Sequence, residues 1–258
     1  MVPGLRKYSC DVSLDPNSAH RRLLLSENHR TVTLVKKRQK YPDHEDRFMN
    51  WTQVLSCTGL SGRCYWEVDW SGEADIGVSY EEISRSKEER DCVFGDNDHS
   101  WSLRIYDDGE YCVSHNRSST RLPRSCHSER GGVFSGKGGM YSVNGGKSPI
   151  NGGVSSGKGG MSHINGGVSS GKGGTFFGRV GVFLDSEAGT LSFYDVSSDE
   201  LFHIWTFSSS FSKPLFPGFG LDKEGSSVTL VKEKDKTEEK LDLTHDEDTA
   251  TRTKDKEK

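Results

Sequence analysis

The sequence predicts an all-β protein, a two-sheet antiparallel β-sandwich. Three observations predict it. Apolar and polar residues alternate over short stretches. Turn-forming clusters separate those stretches. No segment sustains the 3.6-residue apolar period of a long helix.

The alternation can be followed along the chain. In Arg63–Trp70, Cys64, Trp66, Val68 and Trp70 fall on one face and Tyr65, Glu67 and Asp69 on the other, because successive side chains of a strand point to opposite sides. Ile76 and Val78 alternate within Ala74–Ser79. Trp101, Leu103 and Ile105 alternate with Ser102, Arg104 and Tyr106. Val180, Val182 and Leu184 do the same, followed by Leu191 and Phe193. A short turn at 186–189 makes these last two runs a hairpin. Leu201–Phe207 and Val228–Val231 also read as strands. Asp107-Asp108-Gly109, Glu187-Ala188-Gly189, Pro217-Gly218 and Lys223-Glu224-Gly225 supply the turns between strands. The one candidate for a helical turn is Ser84–Arg90.

Composition divides the chain further. Only 31% of the 258 residues are hydrophobic, and 30 are glycine. Gly-Gly recurs every seven residues at 131, 138, 145, 152, 159, 166 and 173, and the units starting at 152 and 166 are identical, which points to tandem duplication. Two glycines in seven make ordering costly and leave few side chains to bury, and no apolar a/d pattern accompanies the period. The insertion at 131–179 is therefore expected to be a disordered loop, with a small glycine-rich β-solenoid as the sharper alternative. The tail at 232–258 mixes charges, has only Leu241 and Leu243 as sizeable apolar groups, and is expected to be disordered. About 180 residues remain, enough for one domain.

Several functions are disfavoured. A net charge of −4 gives no basic field for nucleic acid. No apolar run is long enough to cross a bilayer or to serve as a secretory leader, so the expected compartment is the cytoplasm. The six cysteines contain no C-x-x-C pair and read as unpaired thiols of a reducing compartment. The nine histidines are dispersed, so no metal or other cofactor is expected. Gly153-Val-Ser155-Ser-Gly157 and Gly167-Val-Ser169-Ser-Gly171 fit a nucleophile elbow, but they lie in duplicated sequence without the strand-to-helix turn that exposes such a serine. Gly152–Lys158 falls short of a phosphate loop because Gly159 stands where Ser or Thr would hold magnesium. The chain reads as a non-enzyme.

The ordered segments resemble the PRY-SPRY family. The resemblance is carried by Leu14-Asp15-Pro16, Tyr41–His44 with Arg47-Phe48, Trp66-Glu67-Val68-Asp69, Phe94–Trp101, Val180–Asp185 through Tyr194, and Pro214–Phe219. It covers most of 8–231 apart from the repeat, with a PRY part at about 8–56 and a SPRY part at about 57–231. It is strongest to domains at the C-terminus of fish tripartite-motif and NLR-type immune proteins. The resemblance implies a concanavalin-like sandwich that binds a protein partner through its loops, in innate immune recognition or in choosing substrates for a ubiquitin ligase. None of the RING, B-box, coiled-coil or nucleotide-binding segments that accompany the family occurs in these residues. It also implies a partner-binding pocket at Asp75, Arg104, Tyr106 and Phe216. Alternation turns Asp75, Arg104 and Tyr106 outward, and Phe216 stands at a proline-bounded bend that could expose its ring. The alternatives are a lectin-like glycan binder and a truncated gene product.

Replacing residues 131–173 by a short Gly-Ser linker is expected to leave the melting temperature nearly unchanged, since each doubling of loop length costs only about 0.6 kcal/mol. A large fall would mean that the repeat is packed.

Overall fold

A computed structural model describes residues 4–86, 90–122, 177–198 and 200–232. Among them, thirteen strands form two antiparallel sheets. The strands are β1 (Leu23–Leu25), β2 (Thr31–Leu34), β3 (Gln53–Leu55), β4 (Arg63–Ser71), β5 (Ala74–Ser79), β6 (Ser100–Ile105), β7 (Tyr111–His115), β8 (Ser118–Leu122), β9 (Phe177–Asp185), β10 (Thr190–Ser197), β11 (Glu200–Ser208), β12 (Phe216–Gly220) and β13 (Ser227–Leu230). One sheet has the order β1-β2-β13-β4-β9-β10-β11, the other β3-β12-β5-β6-β7-β8. The predicted sandwich is present. The Gly-Gly repeat up to residue 176 and the tail from residue 233 lie outside the described residues. Phe177–Arg179, read above with the insertion, belong to β9. The helical turn expected at Ser84–Arg90 falls partly outside the described residues; a 3-10 turn lies at Arg90–Cys92.

The core lies between the sheets. β4 and β9 pair along nine residues, from Arg63 opposite Asp185 to Ser71 opposite Phe177. Cys64, Trp66, Val68 and Trp70 meet Val180, Val182 and Leu184 on the inner side and pack against Ile76, Val78, Trp101, Leu103 and Ile105 of the other sheet. Burying each such side chain contributes about 1.5–3 kcal/mol, so the alternation seen in the sequence fixes which face each strand turns inward.

The outer side of β4 carries charge, and it is neutralised. Glu67 accepts from the Tyr65 hydroxyl (2.8 Å), Arg6 (2.9 Å) and Arg179 (3.4 Å), and Arg179 also binds Asp69 (2.6 Å). Burial and the neighbouring Glu67 carboxylate hold the Tyr65 phenol above its ordinary pKa. Gly181 makes room for this network: a Cβ there would stand 2.5 Å from the Tyr65 hydroxyl. Glu67 and Asp69 are thus structural hydrogen-bonding groups.

The N-terminal part is fastened to this framework at several points. Leu14 is fully buried, and the Asp15 carboxylate caps a turn by accepting from the Asn17 amide (2.9 Å). Arg47 is almost completely buried. It donates to the carbonyls of Pro16 (2.9 Å), Ala19 (2.5 Å) and Pro42 (2.8 Å), so one guanidinium ties the turn at 16–19 to the stretch at 42–47.

The reading of all six cysteines as unpaired thiols is corrected at two of them. Cys10 and Cys64 form a disulfide, with Cα atoms 5.5 Å apart. The sequence could not show it, because the two cysteines are 54 positions apart and meet only when the first segment lies against β4, where the Cys10 amide donates to the Tyr65 carbonyl (2.9 Å). Cys57, Cys92 and Cys112 are not in disulfides; Cys126 lies outside the described residues. With this pairing, the cysteines no longer argue for a reducing compartment.

Cross-linking a loop of this size stabilises a fold by up to about 4 kcal/mol through loop-closure entropy. Cys10→Ser is therefore expected to lower the melting temperature by several degrees. Dithiothreitol should lower it in the unmodified chain and leave the variant unaffected. Equal melting of reduced and unreduced chain would show that the bond does not support the fold.

Candidate functional site

The outer face of the six-stranded sheet is divided in two. One half is covered by residues 80–86 and 90–99, which fold back over β5 and β12. Gln53 on β3 anchors this loop: its Nε2 donates to the Cys92 carbonyl (2.6 Å) and its Oε1 accepts from the Phe94 amide (3.0 Å). Phe94 then lies on two glycines. A Cβ at Gly77 would stand 3.1 Å from its ring, and one at Gly218 only 2.6 Å. Phe48, Leu55, Ile83 and Phe94 form a second, smaller core here, with Phe216 packed against it.

The other half is open, and the register of the sheet sets what it presents. Asp75 on β5 lies opposite Arg104 on β6, Arg104 opposite Cys112 on β7, and Cys112 opposite Arg121 on β8. Arg104 reaches Asp75 at 3.1 Å and Asp222, just past β12, at 3.2 Å. Its side chain keeps a third of its surface exposed, whereas Asp75 keeps 5%. Burial pushes the Asp75 carboxyl up and Arg104 pulls it back down, while Asp75 keeps the guanidinium protonated far above neutral pH. Tyr106, immediately after β6, is half-buried beneath the Arg121 guanidinium, 4.7 Å from the ring centroid, and Arg121 also reaches Glu110 (3.3 Å).

Three of the four residues named from the sequence, Asp75, Arg104 and Tyr106, therefore share one end of the sheet. Phe216 does not join them. It lies in β12 opposite Ser79, four residues along β5 from Asp75, a separation of roughly 13 Å at 3.3 Å per residue. Its ring is half-buried against the second core, and a Cβ at Gly59 would come within 2.7 Å of it. The expectation of a ring exposed at a bend is thus replaced by a strand residue under the loop.

Sequence reasoning missed Asp222 and Arg121. Asp222 reaches the site only because β12 returns to pair with β5, a contact with no local signature. Arg121 lies in β8, whose exposed residues show no alternation. The signal available was the Asn116-Arg117 pair, both left-handed with φ of 50° and 63°, which forms the two-residue turn between β7 and β8.

A second concavity, of about 390 Å³, opens at the far end of β5 and β6. Glu82, Asp91, Asn97, Asp98, His99 and Asn116 are among the residues that line it. Asn97 is committed to the loop, donating to the Asp91 and Val93 carbonyls and accepting from the His99 amide. This cleft offers no stacked aromatic platform of the kind a lectin-like reading expects. No group of three or more potential metal ligands occurs among the described residues.

The site is thus a fixed cluster of charged and aromatic groups on an antiparallel sandwich, beside a loop folded over the same face. The comparisons give the chain's family. Residues 12–60 match the SPRY-associated domain (PRY) and residues 63–234 the SPRY domain, and the chain belongs to the PRY-SPRY family. SPRY domains generally bind protein partners. The chain is 33% identical to stonustoxin subunit alpha of Synanceia horrida over 86% of its own length and 25% of that protein's. It is 28% identical to tripartite motif-containing protein 16 of Mus musculus over 87% of its length and 32% of that protein's. Among solved structures, the crystal structure of the TRIM65 PSpry domain covers 89% of this chain and 93% of that one, with a TM-score of 0.62 at 24% identity, a likeness of fold. The chain spans about a quarter to a third of the curated relatives named here.

Proposed function

We propose that the open end of the six-stranded sheet, centred on Asp75, Arg104 and Tyr106, receives a segment of a protein partner, in innate immune recognition or in the selection of substrates for a ubiquitin ligase. The observation that carries this reading is Arg104. Two carboxylates hold its fork in place, yet a third of the side chain is open to solvent. A preorganised guanidinium beside a partly exposed tyrosine is the kind of anchor that contributes most to protein interfaces, since little side-chain freedom remains to be lost on binding. Phe216 contributes from below, by supporting the loop that borders the site.

The immune setting is supported by the likeness to a tripartite-motif protein. Chains of that kind would meet the partner in the cytoplasm, where a Cys10–Cys64 bond forms only transiently; in an exported chain it would be permanent.

Affinity capture of partners from host cells tests the site. Arg104→Ala and Tyr106→Ala are each expected to weaken a captured partner by about 1–3 kcal/mol while the circular dichroism spectrum stays that of the folded domain. If both folded variants retain the partner at full strength, the docking surface lies elsewhere, and the cleft under the 80–99 loop becomes the next candidate.

A further inference from the structure

The charge balance around Arg104 specifies what kind of segment would fit, given the reading that this end of the sheet docks a protein. Arg104 is the basic group at the centre, and its charge is already used: one carboxylate holds it at 3.1 Å and another at 3.2 Å. The remaining groups are mostly acidic. Glu73 stands in the β4–β5 turn, Asp107 in the β6–β7 turn and Asp222 in the loop after β12, so three separate connections bring carboxylates to the same end. Lys223 is the only further cation among them and is paired with Asp107 at 3.2 Å. Glu73, Asp75, Asp107 and Asp222 against Arg104 and Lys223 leave a net charge of −2; adding Asp108, Glu110 and Arg121 on the near rim makes it −3. Glu73 responds to this crowding. Burial, followed by the nearby Asp107 carboxylate, raises its pKa, and Lys223 relieves it only in part.

A second, independent feature lies within the cluster. Asp75 is 4% exposed, and its Oδ1 is buried without a hydrogen-bond partner. The Ser102 hydroxyl has one proton and lies near both Asp75 and the Phe94 carbonyl (3.3 Å), so it can serve only one of them at a time. A buried carboxylate oxygen left unpaired is costly, by about 1–3 kcal/mol or more. Asp75 lines a notch of about 10 Å³ together with Glu73, Ala74, Arg104, Gly220 and Asp222. The notch depends on Gly220, where a Cβ would stand 3.2 Å from that of Asp75. A space of this size holds one water or one compact polar head group. A planar guanidinium is too large for it; an ammonium, a compact point charge with three donors, has the right size and sign.

We propose that the partner segment is basic and places a lysine ammonium in the notch formed by Glu73, Asp75 and Asp222. Arg104 then serves as the fixed floor that holds two of these carboxylates in position, and it does not attract an acidic partner. Attraction by the surrounding carboxylates would also speed encounter with such a segment, in a manner that weakens as salt is raised.

The test uses tetralysine and tetraglutamate peptides as probes, added to the full chain while backbone amide signals are followed by NMR. Tetralysine is expected to give saturable shifts at Asp75, Gly220 and Asp222, with affinity falling as salt rises. Glu73→Gln combined with Asp222→Asn should weaken it roughly tenfold, equivalent to about 1.4 kcal/mol. Lys223→Ala should act in the opposite direction, strengthening binding by freeing Asp107, which a general loss of folding could not do. Absent tetralysine shifts, equal shifts from tetraglutamate, or an affinity unchanged in the acidic variants would each overturn the proposal. If those failures occurred while Arg104→Ala still released a captured partner, the docking reading would stand and only the lysine assignment would fall. A partner retained by Arg104→Ala and Tyr106→Ala would defeat the docking reading itself.

Discussion

The nine-residue register between β4 and β9 is the constraint on which the rest of this structure depends. It places two tryptophans and two smaller apolar groups of β4 in the core. On the reverse side it places Tyr65, Glu67 and Asp69, and the two carboxylates are met by the Tyr65 hydroxyl and by two arginines. A slip of one residue would exchange the two faces, burying Glu67 and Asp69 in the core and turning Trp66 and Trp70 out to solvent. The partners that neutralise the acidic side come from two segments far apart in sequence: Arg6 from the first segment and Arg179 from β9.

The second organising element is the cover over the other sheet. Gln53 uses both ends of its amide to hold the 80–99 loop, and two glycines let Phe94 settle directly on the strands. What the loop covers becomes a small core. What it leaves open becomes a surface of charged residues locked in ion pairs. Arg104 and Arg121 lie on the same face of adjacent strand pairs yet have different partners. One is clamped between carboxylates that arrive from β5 and from beyond β12; the other rests on a tyrosine ring. Preorganisation of this kind suits binding, where groups that need not reorder lose less entropy on association, and it suits a family whose members occupy a fraction of much longer relatives.

Much of the architecture could be read from the amino-acid order alone, because strand alternation is local. The faces of β4, β5, β6, β9 and β10 follow from period-two patterning, and the turn residues between them mark where the chain reverses. Asp75, Arg104 and Tyr106 could be placed on an outer face for the same reason. β8 escaped because both of its faces are exposed, so nothing selects an alternating pattern there.

The sequence by itself determined the fold class, the inward face of each long strand, and the outward orientation of the residues at the candidate site. Only the tertiary structure decided which of those residues meet. Phe216 left the group because β12 runs antiparallel to β5 and carries it toward Ser79, and Asp222 joined it at the opposite end of that pairing. Cys10 found Cys64 because the first segment lies along β4. Each of these contacts joins parts of the chain far apart in sequence. Such contacts are set by which strands share a sheet and in what order, and local periodicity carries no record of that order.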